Sequence, residues 1–126
     1  MNRPDTPTAI EAIKRISTEV PVEELYNNLA EEAAELAQAA LKMNRIQNSS
    51  NPTPVTIAQA WDKLTEEYTD VLNVADRILK LKPNWMLGDF KLHRWCKRLD
   101  EAKEQTEKSE EEEEYECELC KITFDE

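Results

Sequence analysis

Acidic side chains recur at two short spacings in the middle of the chain. Glu31, Glu32 and Glu35 lie in one stretch, and Glu67 and Asp70 lie in a second stretch further along. Carboxylate oxygens, together with water, are the ligands that Mg²⁺ and Mn²⁺ prefer in proteins. If the two stretches meet in the fold, their chemistry is that of a divalent-cation site acting on an anionic ligand.

The first stretch belongs to an amphipathic helical pattern that turns one of its acids inward. Each helical residue advances by about 100°, which places Glu32 about 20° and Glu35 about 80° from Leu25. Glu32 therefore falls inside the apolar stripe and Glu35 borders it. An unpaired carboxylate in a core costs several kcal/mol unless it is protonated, hydrogen-bonded or bound to a cation. The stripe itself consists of Leu25, Leu29, Leu36 and Met43.

The second stretch repeats this arrangement on a helix that begins near residue 57. Glu67 lies about 80° and Asp70 about 140° from Ile57, on one flank of the apolar face. Two such helices packed antiparallel bring their acidic flanks together. No lysine or arginine occupies the motif positions, so we expect nothing within the motif to neutralise the acids. Solvent exposure is the alternative role for Glu31 and Glu66.

The composition favours an all-α domain. The chain has 126 residues, a single glycine and a net charge of −11. Few glycines with abundant leucine, alanine, glutamate and lysine are typical of helices. A strongly acidic chain is repelled by phosphate backbones and anionic lipids, so we expect no nucleic-acid or membrane partner. The N-terminal segment lacks the apolar run of a signal peptide, and three cysteines do not form a disulfide framework. We expect a cytoplasmic protein.

Periodicity and capping signals predict about four helices. The first starts after Thr8, where Thr8 and Glu11 have capping-box spacing, and ends before Pro21. Residues 47–54 form a polar loop that prolines break. After residue 108 a run of glutamates predicts a self-repelling, flexible tail. The domain is thus 1–108 and the tail 109–126, and the remaining helices are predicted over 21–47, from Thr53 or Thr56 to about Leu81, and over 85–108.

The two acidic stretches together resemble a known signature. They are similar to the EExxE…ExxD motif of the MazG-like all-α nucleoside triphosphate pyrophosphohydrolases. The matching residues are Glu31-Glu32-Ala33-Ala34-Glu35 and Glu67-Tyr68-Thr69-Asp70. That superfamily includes dimeric dUTPases and phosphoribosyl-ATP pyrophosphohydrolases. The flanks NLAEEAAELAQAALK and LTEEYTDVLNVADRI also fit, so the resemblance covers roughly residues 22–82. The gap between the half-motifs is longer than expected, and the loop around residues 48–54 accommodates it.

The resemblance implies an activity, a cofactor and an assembly. Members cleave a nucleoside triphosphate between the α- and β-phosphates, giving a monophosphate and pyrophosphate. It implies a helical bundle that a homodimer or homotetramer completes. We assign the base that activates or orients water to Glu35 and a supporting catalytic role or an additional ligand role to Glu31. The implied ligands of Mg²⁺, with Mn²⁺ as an alternative, are Glu32, Glu35, Glu67 and Asp70.

Substrate contacts are open to two interpretations each. Asn73, one turn after Asp70, is either a ligand of sugar or phosphate or a solvent-facing residue. Trp61 is a candidate for stacking on a base, but its place on the apolar stripe favours core packing. Lys42 is a candidate phosphate ligand, but its place near a helix C-terminus favours an interaction with the helix dipole.

A pair of cysteines raises the question of zinc. Cys117 and Cys120 have the spacing of a zinc knuckle, and His93 and Cys96 supply two further ligands. The glutamate run between the pairs and the absence of knuckle glycines argue against it. We favour Cys96 as a buried helical residue, and a structural Zn²⁺ held by the four residues stays the alternative.

Two further hypotheses stand beside the broad hydrolase. Within the same superfamily, the chain is alternatively a dUTP/dCTP-specific hydrolase. Outside it, the chain is a non-enzymatic acidic helical protein that binds a partner through apolar faces, or a degenerate relative without turnover. Pyrophosphate release from a panel of nucleoside triphosphates, with and without divalent cations, distinguishes these hypotheses.

Overall fold

Helices account for every regular element in the described part of the chain. The computed structural model describes residues 4–48 and 55–124, with side chains up to Glu111. No strand occurs within these residues, which confirms the all-α prediction. Two compact units divide the chain, Met1–Lys82 and Pro83–Glu126. The helices are α1 (Pro7–Glu19), α2 (Val22–Gln47), α3 (Ile57–Leu72), a π-helical continuation of α3 (Asn73–Ile78), and α4 (Trp85–Phe124).

The start of α1 differs from the sequence prediction. Thr6, not Thr8, caps the helix, since its hydroxyl accepts a hydrogen bond from the Ala9 N–H at 3.2 Å. Pro7 then occupies the first helical turn, where its missing N–H has no intrahelical partner to lose and its φ already suits a helix. The helix ends at Glu19, before Pro21, as predicted.

The starts of α2 and α3 agree with their sequence signals. Pro21 precedes α2, and Glu23 and Glu24 in its first turn interact favourably with the helix dipole. At α3, Thr56 and Gln59 form a reciprocal capping box: Gln59 N–H donates to the Thr56 hydroxyl at 3.1 Å, and Thr56 N–H donates to Gln59 Oε1 at 3.0 Å. Two N–H groups at the helix start are thereby satisfied.

The end of α3 is less regular than its periodicity predicts. From Asn73 to Ile78 the backbone is π-helical, and the Leu79 N–H donates to the Val74 carbonyl at 2.8 Å. Lys80 then takes a left-handed conformation with φ 60°, and the Leu81 N–H closes the end on the Ala75 carbonyl at 2.8 Å. Such a closure satisfies carbonyls that the helix end leaves free.

In the first unit the main packing is between α2 and α3. The buried apolar side chains of the described residues are Leu25, Ala39 and Ala60. The two alanines allow a close approach of the helices, because the interaxial distance depends on the side chains at the contact. Glu67, with 5% of its surface exposed, lies among them. The core of this unit is therefore small and includes a carboxylate.

Helical spacing in the sequence predicts an apolar stripe on this helix, which is only partly buried in α3 and its continuation. The predicted stripe consists of Ile57, Trp61, Leu64, Tyr68, Val71, Ala75 and Ile78. Leu64 and Val71 are half-buried, but Ile57, Trp61 and Tyr68 are exposed. The prediction that Trp61 packs in the core is wrong, since 59% of its surface is exposed. On the helical wheel Ala60 and Glu67 lie about 60–80° to one side of Ile57, and Trp61 lies about 40° to the other. Because α2 packs against the first side, Trp61 faces away from the contact.

The second unit consists of one long helix. The sequence places the end of the packed domain at residue 108, but α4 continues through that position to Phe124, and the division between units lies at Lys82 and Pro83. The flexibility of residues 109–126 stays a prediction. Asn84 caps the start of α4, where its side-chain oxygen accepts from the Leu87 N–H at 3.1 Å. No described helix is both long and apolar enough to cross a membrane.

Candidate metal centre

The acidic flanks of α2 and α3 meet where the two helices pack. Glu32, Glu35 and Glu67 each place one carboxylate oxygen within 4.8 Å of the others. A second group with the same spacing joins Glu66, Glu67 and Asp70. Glu67 belongs to both groups, so the five carboxylates form one connected cluster, hereafter the acidic cluster. The sequence stretches that resemble the two half-motifs thus lie together in the fold.

Burial differs sharply among the members of the acidic cluster. Glu67 is buried, Glu32 and Asp70 are half-buried, and Glu35 and Glu66 are exposed. The cluster therefore has an inner side formed by the helix contact and an outer side open to solvent. An anionic ligand can approach this outer side only if positive charge offsets the carboxylates.

Two buried carboxylate oxygens of the acidic cluster have no hydrogen-bond partner. These atoms are Oε2 of Glu32 and Oε2 of Glu67. A buried acceptor left without a partner costs about 1–3 kcal/mol, and more when it is charged. A divalent cation is the kind of partner that such oxygens lack, and an all-oxygen donor set is the one that Mg²⁺ and Mn²⁺ select. The donor set therefore fits the predicted metal.

A lysine that the motif does not contain reaches the acidic cluster. Lys63 Nζ lies 2.8 Å from Glu67 Oε1 and 3.8 Å from Glu66 Oε2. Nothing within the motif neutralises the acids, but Lys63, which precedes Glu67 by one helical turn, supplies a positive charge from outside the motif. Residues four apart lie on the same helix face, so this spacing was visible in the sequence outside the motif positions. One ammonium group still leaves four of the five carboxylates uncompensated.

The neighbouring charges shift the carboxylate pKa values in opposite directions. A hydrogen bond shared with Glu67, followed by the charge of Glu32, raises the pKa of Glu35 above its ordinary value of 4.5. The hydrogen bond from Lys63 lowers the pKa of Glu67. Since ionised carboxylates only accept hydrogen bonds, Glu35 bonds to Glu67 only when Glu35 holds a proton. Of these two carboxyl groups, Glu35 is therefore the one that takes up a proton first in the metal-free protein.

These shifts predict how pH affects the metal-free protein. A raised pKa in the folded state means that the folded protein binds the proton of Glu35 more tightly than the unfolded chain does. In EDTA, lowering the pH from neutral toward about 5 should therefore raise the melting temperature. The stabilisation from the lowered pKa of Glu67 is present above pH 4.5 and is lost as the pH falls further. Melting curves of the wild type and Glu35→Gln test this, because only the wild type can gain from the proton on residue 35. Parallel pH profiles of the two proteins would contradict it.

Other predicted site residues lie outside the acidic cluster. Glu31 is exposed and belongs to neither group. Along α2, Lys42 is about 10 Å beyond Glu35, and along α3, Trp61 precedes Glu67 by about 9 Å. None of these three side chains lies in the acidic cluster.

Asn73, the first residue of the π-helical segment, is engaged away from the acidic cluster. Its side-chain oxygen accepts from Arg77 at 2.9 Å, and Arg77 also pairs with Asp5 at 3.0 Å. These residues line a groove of about 480 Å³ together with Thr6 and Asp76. The position of Asn73 is thus fixed by the residues that precede α1, and a role in substrate binding stays a prediction.

The predicted zinc ligands lie on one helix. His93 and Cys96 are exposed on α4, so the expectation that Cys96 is buried is wrong. Cys117 and Cys120 lie outside the described side chains. A continuous helix rises 1.5 Å per residue, which separates residues 96 and 117 by about 30 Å. One copy of α4 therefore cannot bring the four residues to a single zinc ion while it stays helical.

Comparisons with known proteins provide no relative. No protein-family model, no curated protein and no solved structure matches the chain. The geometry of the acidic cluster and the sequence resemblance therefore carry the functional proposal.

Proposed function

We propose that the chain is a Mg²⁺-dependent nucleoside triphosphate pyrophosphohydrolase that converts (d)NTP to (d)NMP and pyrophosphate in nucleotide-pool housekeeping. The observation that carries this proposal is the convergence of Glu32, Glu35 and Glu67 from two helices, with buried carboxylate oxygens that lack partners. A polyanionic substrate needs cations between itself and an acidic site. The resemblance to the EExxE…ExxD motif supplies the reaction class.

Each carboxylate has a role that follows from its burial. Glu32 and Glu67 have buried oxygens without partners and would hold the cation together with Glu35. Asp70 is near this donor set through Glu67 and would serve as a further ligand. A bound Mg²⁺ supplies charge neutralisation and lowers the pKa of a coordinated water. Glu35 is exposed at the outer side of the acidic cluster, where its carboxylate can accept a proton from water as the general base.

The proposal includes an assembly and a location. The described residues bury only three apolar side chains, which is too little to offset the conformational entropy of a folded domain. Exposed Trp61, Tyr68 and Ile57 on α3 are available for a second chain. A homodimer or homotetramer in the cytoplasm, without nucleic-acid partners, completes the proposal.

Two alternatives concern substrate and class. A dUTP/dCTP-specific hydrolase uses the same acidic cluster and differs only in the nucleoside pocket. A partner-binding protein without activity is favoured by the exposed apolar side chains alone. It gives no reason for Glu67 to be buried without a partner for Oε2.

Pyrophosphate release is the direct test of the proposed function. The full-length protein, incubated with each ribo- and deoxynucleoside triphosphate and Mg²⁺, should release pyrophosphate, and EDTA should stop the release. Glu67→Gln, purified in parallel, controls for contaminating nucleotide pyrophosphohydrolases and should be inactive. Preference for dUTP and dCTP would select the specific hydrolase. Absence of release from every nucleotide by folded protein would reject the enzyme.

A further inference from the structure

Lys63 stands at the outer side of the acidic cluster. Its ammonium lies 2.8 Å from Oε1 of buried Glu67, and 56% of the lysine side chain is exposed. The four-carbon stem is flexible and carries a compact charge with three donors. The Lys63 ammonium group therefore contacts the buried carboxylate, while most of the side chain lies in solvent and is free to take other positions.

The pairing occupies one oxygen of the residue that is central to both carboxylate groups. Oε1 of Glu67 accepts from Lys63, whereas Oε2 has no partner. A divalent cation bound by Glu67 would lie close to the ammonium group, and the two positive charges would repel each other. Either Lys63 weakens the binding of the cation, or Lys63 leaves Glu67 when the cation binds.

The side chain that leaves Glu67 would enter the region from which a triphosphate must approach. This region is the outer side of the cluster, where Glu35 and Glu66 are exposed, because Glu67 on the inner side is buried. Lysine is a common phosphate ligand, and hydrogen bonds between ions are about twice as strong as neutral ones. A phosphate oxygen would replace the carboxylate oxygen as the acceptor of the lysine.

We propose that Lys63 exchanges partners, pairing with Glu67 in the metal-free protein and with a substrate phosphate once a divalent cation occupies the acidic cluster. This inference rests on the proposed function, because it takes the cluster as a cation site for a polyphosphate. It makes Lys63 a substrate-binding residue that competes with the metal for Glu67 in the absence of substrate.

Titration calorimetry with two probes separates these two effects. The probes are Mn²⁺ alone and inorganic tripolyphosphate added to the Mn²⁺-loaded full-length protein, so that no nucleoside preference enters. Lys63→Met should bind Mn²⁺ about tenfold more tightly, because the competing charge is gone. The same variant should bind tripolyphosphate about tenfold more weakly, because an ionic hydrogen bond is lost. Lys63→Arg keeps the charge and should stay close to the wild type for both probes.

Lys14→Met is the matched control, since Lys14 is exposed on α1 and lies outside the acidic cluster. It should leave both affinities unchanged. A purely structural lysine predicts a lower melting temperature for Lys63→Met with wild-type affinities for both probes, and that result would overturn the inference. Unchanged tripolyphosphate affinity with tighter Mn²⁺ binding would also overturn it. If the wild type binds no Mn²⁺, the proposed function itself fails, which is a distinct outcome.

Discussion

Glu35→Gln is expected to abolish pyrophosphate release and, in EDTA, to raise the melting temperature. In the metal-free protein the carboxylate of Glu35 lies beside those of Glu32 and Glu67, which raises its pKa. Glutamine removes one of these like charges. Its amide group can also donate a hydrogen bond to Oε2 of Glu67, which has no partner in the wild type.

The same substitution removes a proton acceptor and a candidate metal ligand. Loss of a general base typically reduces a rate by about 10²- to 10⁴-fold, and weaker Mg²⁺ binding adds to this loss. Turnover and metal-free stability should therefore change in opposite directions. Such opposition is typical of a functional site, where groups that repel each other are kept because the ligand needs them.

Melting curves in EDTA and in Mg²⁺, together with the pyrophosphate assay, measure both effects. Glu11→Gln is the matched control, because Glu11 is exposed on α1 and outside the acidic cluster. It should change neither property. A Glu35→Gln protein that melts lower than the wild type in EDTA would show that Glu35 stabilises the fold. A variant with full turnover would remove Glu35 from the catalytic proposal.

Helical periodicity predicted the convergence of the acids because helix geometry is nearly invariant. A fixed advance per residue places Glu32 and Glu67 on the sides of α2 and α3 that come to face each other. The start of α3 was predicted only as Thr53 or Thr56, and the reciprocal capping box of Thr56 and Gln59 decides for Thr56. Local rules were sufficient for these features.

Features that depend on competition between neighbours were not predicted. The apolar stripe of α3 is wider than its contact with α2, so the wheel could not decide whether Ala60 or Trp61 would be buried. The side chain of Lys63 pairs with Glu67 instead of extending into solvent. A motif that consists only of acids does not predict this pair. At the acidic end of α4, the helix propensity of glutamate opposes charge repulsion, and α4 continues to Phe124. The activity, the metal and the oligomeric state stay predictions.

A substitution on the exposed face of α3 should change the oligomeric state. Trp61→Glu is expected to convert the protein to a monomer. Trp61 is 59% exposed and Tyr68 is 53% exposed, on the same face of α3. Tryptophan and tyrosine dominate the binding energy of protein interfaces, where truncation of a central residue costs about 2 kcal/mol or more. A buried glutamate costs more than truncation, because its charge must also be desolvated.

Light scattering after size exclusion measures the change, with Ser17→Glu as the control. Ser17 is exposed on α1, and its substitution adds the same charge away from the apolar face of α3. The control should keep the wild-type mass. A monomeric wild type would reject the proposed assembly, and a Trp61→Glu protein of unchanged mass would exclude this face as the interface.

The stability of the Trp61→Glu monomer tests why a second chain is needed. The first unit buries Leu25, Ala39 and Ala60 as its apolar core, and it also buries a carboxylate. Fixing one backbone residue costs about 1–2 kcal/mol of conformational entropy, and so few buried side chains offset little of it. A second chain covering Trp61 and Tyr68 would supply the missing apolar burial. The monomer should therefore melt well below the wild type, and the melting temperature of the wild type should rise with protein concentration.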